Sequence, residues 1–157
     1  MQKLGMAQQN IMYGELAKAT STLVGKSVNT MKVVLSKVGN PLDTVYFGIY
    51  DASNNAKYVF GQMQADQLSV APSVVTIRKG NMTPYTIQTD DRIVVRYAFG
   101  TANDYVQIGR APDVFDGINS VRVRYGIGID PADTAVMWRT APDQDAVMGI
   151  GYTVLAI

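Results

Sequence analysis

Short runs of alternating side chains, cut by turn residues, recur along this chain and leave little room for any but a layered β fold. In RIVVRYA (92–98), Ile93, Val95 and Tyr97 fall on one face of a pleated strand and Arg92, Val94 and Arg96 on the other. TVYFGIYD (44–51) sets Val45, Phe47 and Ile49 against Tyr46, Gly48 and Tyr50. SVRVRYG (120–126) sets Val121, Val123 and Tyr125 against Arg122 and Arg124, with the apolar set expected inside and the arginines outside. Further runs are VNTMKVVLSKV (28–38), KYVFGQMQ (57–64), SVVTIRK (73–79), PYTIQ (84–88), DYVQIG (104–109), AVMWRT (135–140) and GIGYTVLAI (149–157). Gly39-Asn40-Pro41, the stretch from Asp51 to Asn55, Gly80-Asn81 and Thr89-Asp90-Asp91 lie between them and carry turn chemistry.

These runs predict about nine to eleven short strands joined by turns, the pattern of an antiparallel all-β sandwich. Residues 11–24 (IMYGELAKATSTLV) are ambiguous, because ELAKA could form one helical turn while Thr-Ser-Thr favours an extended chain. Residues 1–10 are polar and do not alternate, so they are expected to form an arm, flexible or ordered by a partner. Residues 11–157 then form a single sandwich domain, with no linker or repeat to divide them.

Composition agrees with strands and turns. The acidic residues are twelve aspartates and one glutamate, Glu15. Aspartate suits turns, where its carboxylate accepts nearby backbone N–H groups, whereas helical surfaces lean on glutamate. The chain has no cysteine and no histidine. Disulfides, thiol nucleophiles, Ser-His-Asp triads and imidazole metal ligands are therefore excluded. Lys+Arg is 14 against Asp+Glu 13, without the basic excess of a general nucleic-acid binder. No apolar run is long enough to span a membrane, and the polar start MQKLGMAQQN does not read as a signal peptide.

The order LVGKSVNTMKVVLSKVGNP, VYFGIYD, FGQMQADQLS, YTIQTDDRIVVRYAFG, NDYVQIGR and FDGINSVRVRYG resembles jelly-roll modules repeated in archaeal and other microbial surface proteins. It is also similar to carbohydrate-binding-module-like jelly rolls. The resemblance covers residues 20–126 and implies a jelly-roll-like sandwich. Leu42-Asp43 after Pro41, the first residues and the segment 130–149 depart from that pattern. A fold so widely shared does not carry a function with it.

Neighbouring aspartates such as Asp90-Asp91, or Asp113 with Asp116, do not face each other across a cleft as a glycosidase pair must, so no enzyme is expected. A structural calcium ion is the one cofactor the residues allow, with Asp51, Asn54, Asp113 and Asp116 as candidate oxygen donors. Tyr46, Tyr50, Arg92, Arg96, Arg122, Arg124 and Trp138 are candidates for an interface or ligand face. The expected role is a non-enzymatic assembly protein: a capsid-decorating or minor capsid subunit on a virion, or another self-associating surface subunit. Its partners would be copies of itself or a larger assembly such as a capsid, rather than nucleic acid. The rival is a carbohydrate-binding module of a cell-surface or extracellular protein, with Trp138 and the tyrosines as a glycan platform.

Overall fold

A computed structural model describes residues 2–79, 84–111, 120–126, 132, 135–141, 145–146 and 148–151. Among these residues the structure is strand and turn, with one short 3-10 turn at Ala65–Gln67 and no α-helix. The strands are β1 (Gln2–Leu4), β2 (Asn10–Ala17), β3 (Ser27–Val28), β4 (Thr30–Val38), β5 (Thr44–Tyr50), β6 (Ala56–Gln64), β7 (Ser73–Arg78) and β8 (Tyr85–Thr86). They continue with β9 (Arg92–Arg96), β10 (Tyr105–Ile108), β11 (Arg110–Ala111), β12 (Ser120–Gly126), β13 (Met137–Ala141), β14 (Asp145–Ala146) and β15 (Met148–Gly151).

Two antiparallel sheets carry the fold. One has six strands in the order β13-β12-β2-β9-β5-β6. In the other, β4 is central: β10 and β15 pair along one side of it, β7 pairs along the other, and β1 adds beyond β10. Two short ladders, β3-β8 and β11-β14, complete the pairing.

Period-two alternation builds the core between the sheets. Val45, Phe47 and Ile49 of β5 and Ile93 and Val95 of β9, with Tyr97, are wholly buried from the six-stranded side. Met31, Val33 and Leu35 of β4, Val106 and Ile108 of β10 and Leu4 of β1 meet them from the other. Each such side chain contributes about 1.5–3 kcal/mol when removed from water. The predicted alternation of 44–51 and 92–98 is the one observed, and the chain is an all-β antiparallel sandwich.

Three local expectations change. Residues 11–24 give a strand to Ala17 and tight turns after it, with Ser21 N–H donating to Lys18 O. The first residues do not stand off as an arm, because Gln2, Lys3 and Leu4 pair with Ile108, Gln107 and Val106 and Leu4 is buried in the core. Residues 5–9 turn the chain back, with Gly5 N–H donating to Asn10 O. The apolar Leu4 decides this, since an edge of β10 lies within reach of so short a segment.

The third change is in 120–126. Arg124 pairs with Tyr13 and Arg122 with Glu15, while Val123 pairs with Gly14. Arg124 therefore shares the core-side face of Tyr13; it is 8% exposed, and its guanidinium donates to the Asn10 side-chain oxygen. Val123 and Tyr125 point to the outer face instead. Alternation separates two faces of a strand but does not say which is inside. Here both are covered, and Glu15, wholly buried, holds the inner one beside the ladder position of Arg122.

The turn into β9 is anchored by Asp91, 1% exposed. Its carboxylate accepts from Lys57 Nζ at 2.5 Å, Tyr85 Oη at 2.7 Å and the Gln88 N–H at 2.8 Å. One buried acid thus ties β6, β8 and β9 together.

Candidate functional site

The outer face of the six-stranded sheet collects most of the residues singled out in the sequence. The ladder pairs Tyr46 with Arg96 and Tyr50 with Arg92, so each tyrosine of β5 has an arginine of β9 directly beside it. On the far side of β9, Arg96 pairs with Met12 and Arg92 with Leu16 of β2. Tyr125 of β12 pairs with Met12, and Trp138 of β13 pairs with Tyr125. One row across the sheet therefore reads Trp138, Tyr125, Met12, Arg96, Tyr46.

An apolar floor fixes this face. Met12, Tyr50, Val94 and Val123 form a second buried cluster, with Leu16, Tyr125 and Trp138 packed against it. Gly14 lies in the middle, where a Cβ would come within 1.9 Å of the Ile93 carbonyl oxygen, so only glycine fits. The Trp138 ring meets Tyr125 edge-on at 5.1 Å between centroids, and the Arg92 guanidinium lies 5.2 Å from the Trp138 ring centre. Arg92 also donates to the Asp90 carbonyl oxygen.

Burial sets the electrostatics. It raises the Tyr50 hydroxyl above the usual phenol range, with Arg96 opposing and Tyr46 adding to the shift. It also lowers Arg92 from its usual value, partly offset by Asp90, Asp51 and Asp91. Arg92 stays a cation, because a guanidinium is not deprotonated in proteins. Two buried N–H donors on this face, Arg92 Nε and Trp138 Nε1, have no acceptor among the described residues. Such donors are costly to leave unmade, at about 1–3 kcal/mol each. The face can accept oxygen atoms of carboxylates, carbonyls or hydroxyls, and it can stack planar groups.

Tyr46, Tyr50, Arg92, Arg96 and Trp138 are thus brought together. Arg124 lies on the opposite face, and Arg122 occupies the ladder position beside Glu15, its side chain lying outside what the structure describes. Tyr125, Met12, Leu16 and Val123 belong to the face but were not foreseen. The only cue to Tyr125 was its alternation with the arginines of its own strand, which put it on the wrong side.

Of the four calcium candidates, Asp51 and Asn54 fall among the described residues. Asp51 Oδ1 accepts the Ser53 and Asn55 N–H groups at 2.9 Å each, closing the β5–β6 turn, and these bonds hold its carboxyl below the usual range. Asn54 sits in the same turn at φ 66°. Asp113 and Asp116 lie outside the described residues. No group of three or more acidic residues among the described residues is placed to hold a metal.

A second surface feature lies at one end of the sandwich. Met6, Leu42 and Phe99 are exposed around a hollow of about 330 Å³ that Asp43 and Asp104 also line. No described helix is long and apolar enough to cross a membrane.

Fold and face together define an antiparallel β-sandwich with an aromatic and arginine-bearing outer sheet. No family model, curated protein or solved structure matches the chain.

Proposed function

We propose that this chain is a non-enzymatic structural subunit that associates with copies of itself on a larger surface, as a capsid-decorating or minor capsid protein does. The observation that carries this reading is the gathering of Trp138, Tyr125, Arg92, Arg96 and Tyr46, each only partly buried, on one sheet face over a floor that includes Met12. Those residue types are enriched in protein interfaces and dominate their binding energy. A neighbouring subunit would cover Tyr46, Arg96 and Trp138, with its carboxylate or carbonyl oxygens accepting from the Arg96 guanidinium.

The glycan reading draws less support from the same face. A sugar ring stacks on an open aromatic plane, and here Arg92 lies over the Trp138 ring while Tyr125 meets it edge-on. Light scattering of the wild type and of Trp138→Ala over a range of concentrations tests the assembly reading. A mass that grows with concentration in the wild type and more weakly in the variant supports it. Strict monomers with strong binding on a glycan array, lost in Trp138→Ala, would replace it with the carbohydrate-binding reading.

A further inference from the structure

We infer that β7 is a self-pairing edge, through which two copies join their five-stranded sheets in antiparallel register about Thr76. The inference rests on the reading of the chain as a self-associating subunit and names one contact that would build the assembly.

The backbone carries the argument. β7 pairs with β4 on one side, and no described strand pairs on its other side. Lys79 N–H donates to Asn29 O, which sets the phase of the ladder beyond the end of the strand. In antiparallel pairing the bonding direction alternates residue by residue. The N–H and C=O groups of Val75 and Ile77 therefore point to β4, and those of Val74, Thr76 and Arg78 point to the open edge. The outer side chains of the strand are exposed, Val74 at 65%, while Val75 and Ile77 pack toward the core.

Natural sheets blunt such edges with charges, bulges, prolines or short strands. The other edges of the two sheets have these devices. β1 has three residues and places Lys3 over the Tyr105 ring. β6 pairs with two register irregularities and carries Lys57. β13 carries Arg139, which donates to the Gly126 and Ala135 carbonyl oxygens, and β15 has four residues. SVVTIR has β-branched residues at four of its six positions, no proline or bulge within it, and its only charge at the end.

The strand is also self-complementary. A two-fold axis at Thr76 sets Val74 of one copy opposite Arg78 of the other and the two Thr76 residues opposite each other. All three positions face the open edge, so each pair can exchange two hydrogen bonds, about six in all. The two Arg78 cations fall at opposite ends of the new ladder, so no like charges meet. The stem of Arg78 lies along the exposed Val74 of the other copy. The opposed threonines form a favourable cross-strand pair. A second copy is therefore the partner this edge fits.

Thr76 facing its own mate makes the test specific. Thr76→Lys and Thr76→Asp each place like charges across the axis, and each should weaken association about tenfold or more. An equal mixture of the two variants should restore association, since lysine then faces aspartate. Hydrogen exchange supplies the second readout: at high concentration the Val74, Thr76 and Arg78 amides gain protection, while Val75 and Ile77 are protected at every concentration. A wild type that stays monomeric overturns both this pairing and the self-association it rests on. A wild type that associates while Thr76→Lys associates equally well, or a mixture that fails to recover, overturns the pairing alone.

Discussion

Replacing Asp91 is the most exacting test of how the turn before β9 is held. The carboxylate is 1% exposed and accepts three bonds, from Lys57, Tyr85 and the Gln88 amide. Asp91→Ala leaves the Tyr85 hydroxyl and the Gln88 N–H without an acceptor in a partly buried site, at about 1–3 kcal/mol each. The Lys57 side chain is 28% exposed and can turn to water, so its share is discounted to about 1 kcal/mol. The sum is about 3–7 kcal/mol, or a fall in Tm of roughly 10–20 °C for a chain of this size. Urea denaturation of Asp91→Ala, Lys57→Met and the double variant measures it. The double-mutant cycle should show coupling of about 1 kcal/mol between the two side chains. The hydrogen bond to Asp91, with a further one to Tyr85, raises Lys57 above the ordinary lysine range. A raised value means the contribution is complete below that range and is lost as pH rises through the shifted value. A loss under about 1 kcal/mol in Asp91→Ala, or no coupling with Lys57, would mean that Asp91 does not anchor this turn.

Other substitutions probe separate links. Gly39 sits at φ 69°, and a Cβ there would lie 2.3 Å from Asp104 Oδ1, so Gly39→Ala should cost about 2–3 kcal/mol in urea denaturation. Asp104 accepts from the Asn40 amide and the Thr101 hydroxyl, which hold its carboxyl below the usual range. Its stabilisation is present above the ordinary carboxylate range and lost as pH falls through the lowered value, so Asp104→Asn should flatten the acid limb of a stability-versus-pH curve. Met12→Ala, which opens a hole in the floor of the outer face, should cost about 2–4 kcal/mol and shift the Trp138 fluorescence.

Alternation made the two central strands legible: the burial of Val45, Phe47 and Ile49, and of Ile93 and Val95, follows from period two alone. It also put Tyr46 with Tyr50, and Arg92 with Arg96, on one face of each strand, and the pairing of β5 with β9 that sets these faces side by side came from the structure. It failed in β12, where a buried glutamate on β2 and a second apolar cluster reverse the usual assignment of faces. That reversal depends on what β2 places opposite each residue, and pairing partners far apart in sequence are not written in the local pattern. The same holds for β1, whose three residues carry too little pattern to read as a strand until β10 is beside them. The Asp91 anchor was visible only as turn chemistry, because its donors Lys57 and Tyr85 come from other elements.

The most direct test of the account is sedimentation velocity of the wild type and of Arg96→Glu across the full accessible range of concentration. Arg96 is half-buried on the outer face beside Tyr46, so reversing its charge should change the contact surface more than the core. Self-association in the wild type, sharply weakened in Arg96→Glu at unchanged thermal stability, is the predicted result. A wild type that sediments as a monomer throughout, or an Arg96→Glu variant that assembles as well as the wild type, would contradict the claim that this face joins one subunit to the next.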